Sequence, residues 1–316
     1  MKKKNNLQAY AFLTPFLILV TLLYILPAVL TVVMAFTGLD KTFVWKFVGM
    51  KNFRRVFMDP NTPIIVRNTL IYVGVCISAT LVIDLFFAIM TTYFIKSERS
   101  ASIFKGILMI PMITPSVVYS VLWVWLLSST ADGFFNKIVM SVSGMASPIN
   151  WIAQYPMQVV IFAKLLTSIA YGTIIFSSAI KAIPENQFKA ARVDGAKEWE
   201  IVKAIILPNL RFHIMFIALW DTLGLLTDYV NILLITDGGP GKASEVWALS
   251  AYHKAFIDGK YGYGDFAQFD SGRTRADDCH QHCQRPYGKE ESGCSVLSVM
   301  KPAPAMRCAR SILPSA

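Results

Sequence analysis

Four ionisable side chains interrupt long apolar runs: Asp84, Lys164, Asp221 and Asp228, with Asn231 close behind the last of them. In lipid, an acid near the middle of a helix costs about 2.5 to 3.5 kcal/mol, while each Leu, Ile, Val or Phe around it returns only about 0.3 to 0.6. Such residues turn inward, where they pair with one another or line a polar route through apolar surroundings. The chemistry open to them is the passage of a polar solute. The chain shows no nucleophile beside a base, no HExxH helix and no complete nucleotide loop, so it is not read as an enzyme. The fragment from Gly239 to Ser244 lacks the first glycine of a phosphate loop and has Ala243 where Ser or Thr is required; it reads as a turn. His213, beside Arg211, reads as a solvated histidine at a span boundary.

Spacing adds geometry. Asp221, Gly224, Asp228 and Asn231 follow at intervals of three, four and three residues, which predicts one stripe of a helix facing the bundle interior. Counted from span ends on the same side, Lys164 and Asp228 lie about 24 Å deep and Asp84 and Asp221 about 15 Å deep, at 1.5 Å per residue. Lys164 and Asp228 are therefore expected near one another, as an ion pair or as gates, with Asp84 and Asp221 near the midplane. Asp84, Lys164, Asp221, Asp228 and Asn231 are the candidates for a translocation path. The competing reading is that the charges only stitch helices together.

The elements that must hold these residues are spans. With 54% hydrophobic and only 16% charged residues, the 316-residue chain is too apolar for an ordinary soluble domain. Uncharged or nearly uncharged runs predict five spans, over about 10–36, 69–95, 107–127, 159–180 and 212–235. The first follows Lys2, Lys3 and Lys4 and is too long for a signal peptide, so it is read as retained, with Pro15 and Pro27 as kinks. The net charge of +10 sits mainly between the runs, which places it near headgroups and partner subunits; no basic face interleaved with aromatics supports nucleic-acid binding. The first linker alone holds Lys41, Lys46, Lys51, Arg54, Arg55 and Arg67. Cys76 reads as a small apolar filler.

Between the fourth and fifth spans, residues 183–210 combine polarity, small residues and turn chemistry. Pro184 suits a first helical position, Glu185 the positive end of that helix, and Asp194-Gly195 a turn. A second arm should carry Trp199, Val202 and Ile206 on one side until Pro208 stops it. The order Ala190-Ala191, Gly195, then Ile205, Leu207 and Pro208 resembles the EAA loop of the permease subunits of bacterial ABC importers, most closely the carbohydrate-uptake branch of maltose and glycerol-phosphate type. Lys189 stands where that family usually has Glu. Residues 47–57, 111–115, 236–256 and 260–264 are also similar to the family; the 236–256 segment reads as a turn and a short helix using Val246, Leu249 and Phe256.

The resemblance implies an all-α, polytopic transmembrane helical bundle of the type I ABC importer permease kind. It implies that Lys189, Ala190, Ala191, Asp194, Gly195, Leu207 and Pro208 seat on an ABC ATPase dimer, which holds ATP and Mg while this chain binds no cofactor directly. It further implies a second permease subunit, an external solute-binding protein, contact with membrane lipid, and import of a sugar or related polyol across a bacterial plasma membrane. Lys2 to Lys4 place the N-terminus in the cytoplasm. The alternatives are a membrane scaffold or sensor that does not transport, and a secondary transporter.

Five spans are recognisable and the family's sixth is missing. It should begin near Tyr263, yet from Asp265 onward no run is apolar enough to cross a bilayer. The division is thus a transmembrane permease domain over 1–264 and an aberrant polar tail over 265–316, expected to be disordered. The tail looks like translation in a wrong frame, or an unrelated fusion. Its Cys279, His280, His282 and Cys283 are too crowded for one tetrahedral metal site.

Overall fold

The computed structural model describes residues 5–144 and 147–264, which form helices joined by turns, with a lone antiparallel bridge from Thr37 to Phe47. In chain order these are α1 (Tyr10–Ala35), α2 (Lys51–Met58), α3 (Thr62–Phe94), α4 (Glu98–Ile113), α5 (Ser116–Leu126), α6 (Phe134–Ser143), α7 (Pro156–Lys181), α8 (Glu185–Val193), α9 (Glu198–Thr227), α10 (Val230–Ile235) and α11 (Trp247–Tyr252). Among them α1, α3, α7 and α9 are long and apolar enough to cross a membrane, and α4 with α5 makes a fifth if the bent pair counts as one span. Pro63 and Pro156 sit in the first turns of α3 and α7, where no backbone donor is missed, so both helices begin earlier than the apolar runs predict. The tail over 265–316, with Cys279, Cys283, Cys294 and Cys308, and the missing sixth span lie outside the described residues.

The third span is not one straight helix. Its two halves meet at 93°. Thr114 precedes Pro115, whose ring disfavours the helical conformation for its neighbour; Thr114 has ψ 128° and Pro115 ψ 134°. The apolar run continues through this break, which hides it from hydropathy.

Pro208 was expected to stop the second hairpin arm, and instead it lies inside α9. The turn before it, Val202–Ile206, is a π-turn, and Leu207 N–H bonds to Val202 O. Widening that turn relieves the clash between a proline ring and the carbonyl four residues back. The hairpin arm and the fifth span are consequently one continuous helix. In α1 a similar π-turn, Thr21–Ile25, precedes Pro27. The expected apolar side of the arm is also narrower, since Val202 and Ile206 are buried but Trp199 is 62% exposed beneath Lys203. Pro184 flanks α8 with ψ 128° and does not occupy its first turn.

At its other end α9 closes at Asp228, whose ψ of 114° leaves the helix, and α10 restarts at Val230. The predicted stripe from Asp221 to Asn231 therefore spans two helices. After α10, residues 236–246 turn back; Asn68 Nδ2 donates to the carbonyls of Lys242 and Glu245, and Thr69 Oγ1 accepts from Trp247 N–H. Val246 and Leu249 are buried as expected, whereas Phe256 is exposed.

α3, α7 and α9 pack against one another and bury two apolar clusters. One, at the α8 end, uses Ala88 of α3, Phe176 and Ile180 of α7, and Ile206, Leu210 and Ile217 of α9. The other, at the far end, uses Tyr72 and Cys76, Val160 and Ala163, and Leu225, with Trp123 of α5 and Ile232 of α10. In lipid these clusters are held by close packing rather than by expulsion of water. Between the clusters each helix turns polar side chains inward: Thr80 and Asp84 of α3, Lys164, Ser168 and Thr173 of α7, and Asp221 of α9. α1 stays outside this bundle, its apolar window wholly unburied.

Candidate functional site

The far end of the polar layer is a closed network. Asp228, freed from helical geometry at the end of α9, accepts from Lys164 Nζ at 2.9 Å and from the Tyr72 hydroxyl at 2.9 Å through the same oxygen, Oδ2. Asn231 Nδ2 lies 3.4 Å from both oxygens of that carboxylate, and Ser120 Oγ donates to Asn231 Oδ1 at 3.2 Å. Side chains of α3, α7 and α10 meet on the carboxylate at the end of α9, and α5 joins them through Asn231. The side chains of Asp228 and Lys164 are only 9% and 21% exposed, so the pair is largely desolvated and costly to break from one side. The depth count thus brings Lys164 and Asp228 together, and Asn231 joins them despite the helix break. Tyr72 and Ser120 were missed, because an uncharged hydroxyl in an apolar run gives no signal until its partner is known.

Next to this network is a cavity of about 90 Å³ lined by Thr80, Lys164, Ser168, Trp220, Asp221, Gly224 and Leu225. Lys164 borders both places. Asp221 faces this cavity, while Asp84, predicted at the same level, is packed away from it. Asp84 is fully buried, takes one bond from Thr173 Oγ1 at 3.3 Å, and leaves Oδ2 without a partner. Gly172 makes that seat possible: a Cβ there would run into the Asp84 carboxylate. The sequence reading overlooked Gly172 for want of any local mark. His213 is not fully solvated as expected: it is half-buried, and its Nδ1 is buried with no partner. No group of three or more His, Cys, Asp or Glu side chains that could hold a metal occurs among the described residues.

The opposite end carries the hairpin. α8 closes with Gly195 at φ +78°, where Gly195 N–H bonds to Arg192 O and Ala196 N–H to Ala191 O. That pair of bonds is the glycine-terminated helix end in which only a residue tolerating positive φ fits. Glu200 then accepts from Lys197 N–H at 2.8 Å, opening α9. The root of the hairpin is fixed by Ile183, by Phe188, whose ring lies tilted 5.6 Å from that of Tyr93, and by the Tyr93 hydroxyl bonded to Glu198, which also faces Arg192 at 3.8 Å.

No residue of α8 is buried. Lys189, Ala190, Asp194, Gly195 and Pro208 are exposed, and Ala191 and Leu207 half-buried. Lys189 pairs with Glu185 one turn back at 3.2 Å, and both side chains remain open. The region projects as a short helix and a turn whose small residues leave its backbone open.

A profile of the binding-protein-dependent transport system inner membrane component family matches residues 84–252, from Asp84 to the end of α11. The trehalose/maltose transport system permease protein of Thermococcus litoralis is 27% identical over 269 residues, covering 84% of this chain and 88% of the relative. The lactose transport system permease protein of Rhizobium radiobacter is 25% identical over 260 residues, covering 80% and 84%. In fold, the chain is like one from the crystal structure of a bacterial alginate ABC transporter in complex with an alginate pentasaccharide-bound periplasmic protein, with TM-score 0.71, 20% identity, and coverage of 83% of this chain and 88% of that one. The family match takes in more than half of the 316 residues and contains the hairpin and the polar network apart from Tyr72, so the chain belongs to the inner membrane components of binding-protein-dependent transport systems.

Proposed function

We propose that this permease imports a sugar or related polyol, driven by an ATPase dimer that seats on α8 in the cytoplasm, with a second permease subunit and an external solute-binding protein completing the importer. ATP and Mg belong to the ATPase subunits. The observation that carries the reading is the continuity of α9: one helix runs from the exposed hairpin at Glu198 to Thr227 beside the Lys164–Asp228 pair. Closure of the ATPases would shift α8 and α9 as a lever, a rigid-body form of alternating access. Lys164, which borders both Asp228 and the cavity holding Asp221, would then exchange one carboxylate for the other. In this reading Asp84, Lys164, Asp221, Asp228 and Asn231 belong to the path or its gates, Lys189 to Pro208 belong to the coupling surface, and residues 1–264 form the permease domain.

The sugar assignment draws on the relatives' named transport systems. Gly195 supplies the test of coupling. Nothing lies within 4 Å of a Cβ built there, so a larger residue meets no obstacle inside this chain, and Asn tolerates positive φ. Gly195→Asn should keep the fold and the co-purifying ATPase, whereas Ala190→Trp, at an exposed position of α8 with helical backbone, should fold and lose the ATPase by roughly tenfold or more, the equivalent of about 1.4 kcal/mol. Equal retention by both variants would remove α8 from the docking surface. Uptake that persists without ATP would make the protein a secondary carrier.

A further inference from the structure

The linker between α1 and α3 holds residues that neither the polar network nor the hairpin uses. Over 36–61 it carries five basic residues, Lys41, Lys46, Lys51, Arg54 and Arg55, against two acids, Asp40 and Asp59. Asp40 is engaged by its own turn, accepting from Thr42 N–H at 2.8 Å and Thr42 Oγ1 at 2.5 Å, and Asp59 is buried. Large apolar side chains point outward: Phe57 is 83% exposed, Phe47 77%, Met58 60% and Trp45 56%.

This exposure belongs to a braced element. Asn52 of α2 is buried and its Nδ2 reaches the carbonyls of Ala35, Thr37 and Gly262 at 2.9, 2.8 and 2.7 Å. Gly262 N–H bonds in turn to Leu39 O, and Val56 is buried. The braced linker leaves the last turn of α1 and enters the first turn of α3. Chain continuity therefore holds it at the level where two spans leave the lipid.

Aromatic and Met side chains beside Lys and Arg, at that depth, are the composition of elements that lie in the headgroup region of a bilayer. Protein interfaces share the enrichment in aromatics, Met and Arg but are depleted in Lys, so Lys46 and Lys51 beside the span ends favour the headgroup reading. We propose that residues 41–58 form an interfacial anchor. Trp45, Phe47, Phe57 and Met58 enter the boundary between headgroups and acyl chains at the far end of the bundle, and Lys46, Lys51 and Arg54 meet anionic headgroups. The anchor would fix the far end in the bilayer plane while the α8 end moves.

The test uses the full chain with its cysteines replaced, reconstituted into vesicles of phosphatidylcholine alone or mixed with phosphatidylglycerol. Nitroxide labels are placed at Phe47→Cys and Phe57→Cys, with Asp132→Cys, whose native side chain is 90% exposed, as the reference. Labels at 47 and 57 should relax more with oxygen than with a water-soluble nickel chelate, and the reference should do the opposite. Changing Lys46, Lys51 and Arg54 together to Gln should reduce the preference for spin-labelled phosphatidylglycerol over phosphatidylcholine, by about fivefold per charge at low salt. Water access at 47 and 57 equal to the reference would overturn the proposal. Shielding that arises only on adding a second permease subunit or a solute-binding protein would overturn it too, making the face a protein dock. An unchanged lipid preference in the triple variant would refute the headgroup contact.

Discussion

At one end of α9, α8 leaves every residue at least partly open, its Lys189 tied only to Glu185 on the same helix. At the other end, Asp228 draws Lys164, Tyr72 and Asn231 onto one carboxylate with little access to solvent. Both regions are rich in polar groups and both are ordered, but they satisfy those groups differently. The far end completes its bonds within the chain, so its charges join helices and resist being separated. The hairpin completes only its backbone and its root, leaving an outer face whose bonds must come from elsewhere. In the function proposed above, the exposed helix is the face offered to a partner and the closed end is where that partner's movement would have to do work.

The largest expected effect is at the closed end. Asp228→Asn strips Lys164 of its acid, and breaking a buried ion pair from one side costs about 3 to 5 kcal/mol, somewhat less here because Lys164 keeps partial exposure. A clear fall in thermal stability of the purified protein is expected. Lys164→Asp combined with Asp228→Lys should regain most of that loss, since Tyr72 and Asn231 can bond either arrangement. If Asp228→Asn is as stable as the parent, the far end is not closed in the sense drawn above and the comparison collapses.

At the hairpin the expected stability effect is smaller and the functional one distinct. Tyr93→Phe keeps the ring beside Phe188 and removes only the hydroxyl bonded to Glu198, a loss of about 1 kcal/mol or less. That bond ties the start of α9 to the end of α3. With the ATPase still bound, solute taken up per ATP hydrolysed should fall while the melting temperature barely moves. A change in stability with no change in that ratio would make Tyr93 a structural tie only.

Much of this division was legible in the residues. Gly195 and Ala190-Ala191 mark a hairpin because turn chemistry is local, and Lys164 meets Asp228 because helical rise is constant along a span. The failures have physical causes as well. Thr114-Pro115 carries a break signal, but the apolar run on both sides masks it. Asp228-Tyr229 breaks α9 with no proline or glycine at all. Pro208 fails as a stop because a π-turn absorbs it, a backbone adjustment with no side-chain signature. Gly172 acquires meaning only through the carboxylate of Asp84, 88 positions away in the chain and directly against it in space.

The smallest effect concerns the loop that caps the far end. His253 Nε2 lies 3.0 Å from Asp237 Oδ1 and its Nδ1 3.5 Å from Glu245 Oε1, while Lys242 holds the other Glu245 oxygen at 3.0 Å. The bond to Glu245 raises the His253 pKa above its ordinary 6.5, with Asp237 adding to the effect against the opposing pull of burial. Burial pushes Glu245 up, yet the bonds from His253 and Lys242 outweigh it and hold the acid below its ordinary 4.5. The signs then set a window. The histidine's contribution is full below 6.5 and fades as pH rises through its raised value; the glutamate's is full above 4.5 and fades as pH falls through its lowered one. Amide exchange over residues 236–258 should therefore be slowest, relative to its intrinsic rate, between those two values and quicken to either side by a few-fold, about 1 kcal/mol or less for a partly exposed pair. His253→Gln should flatten the alkaline limb and shrink the acid one, since Glu245 keeps Lys242 but loses the histidine. Exchange that does not change with pH on either limb in the parent protein would show that the capping loop is held by Asn68 and Thr69, through its backbone, and not by its charges.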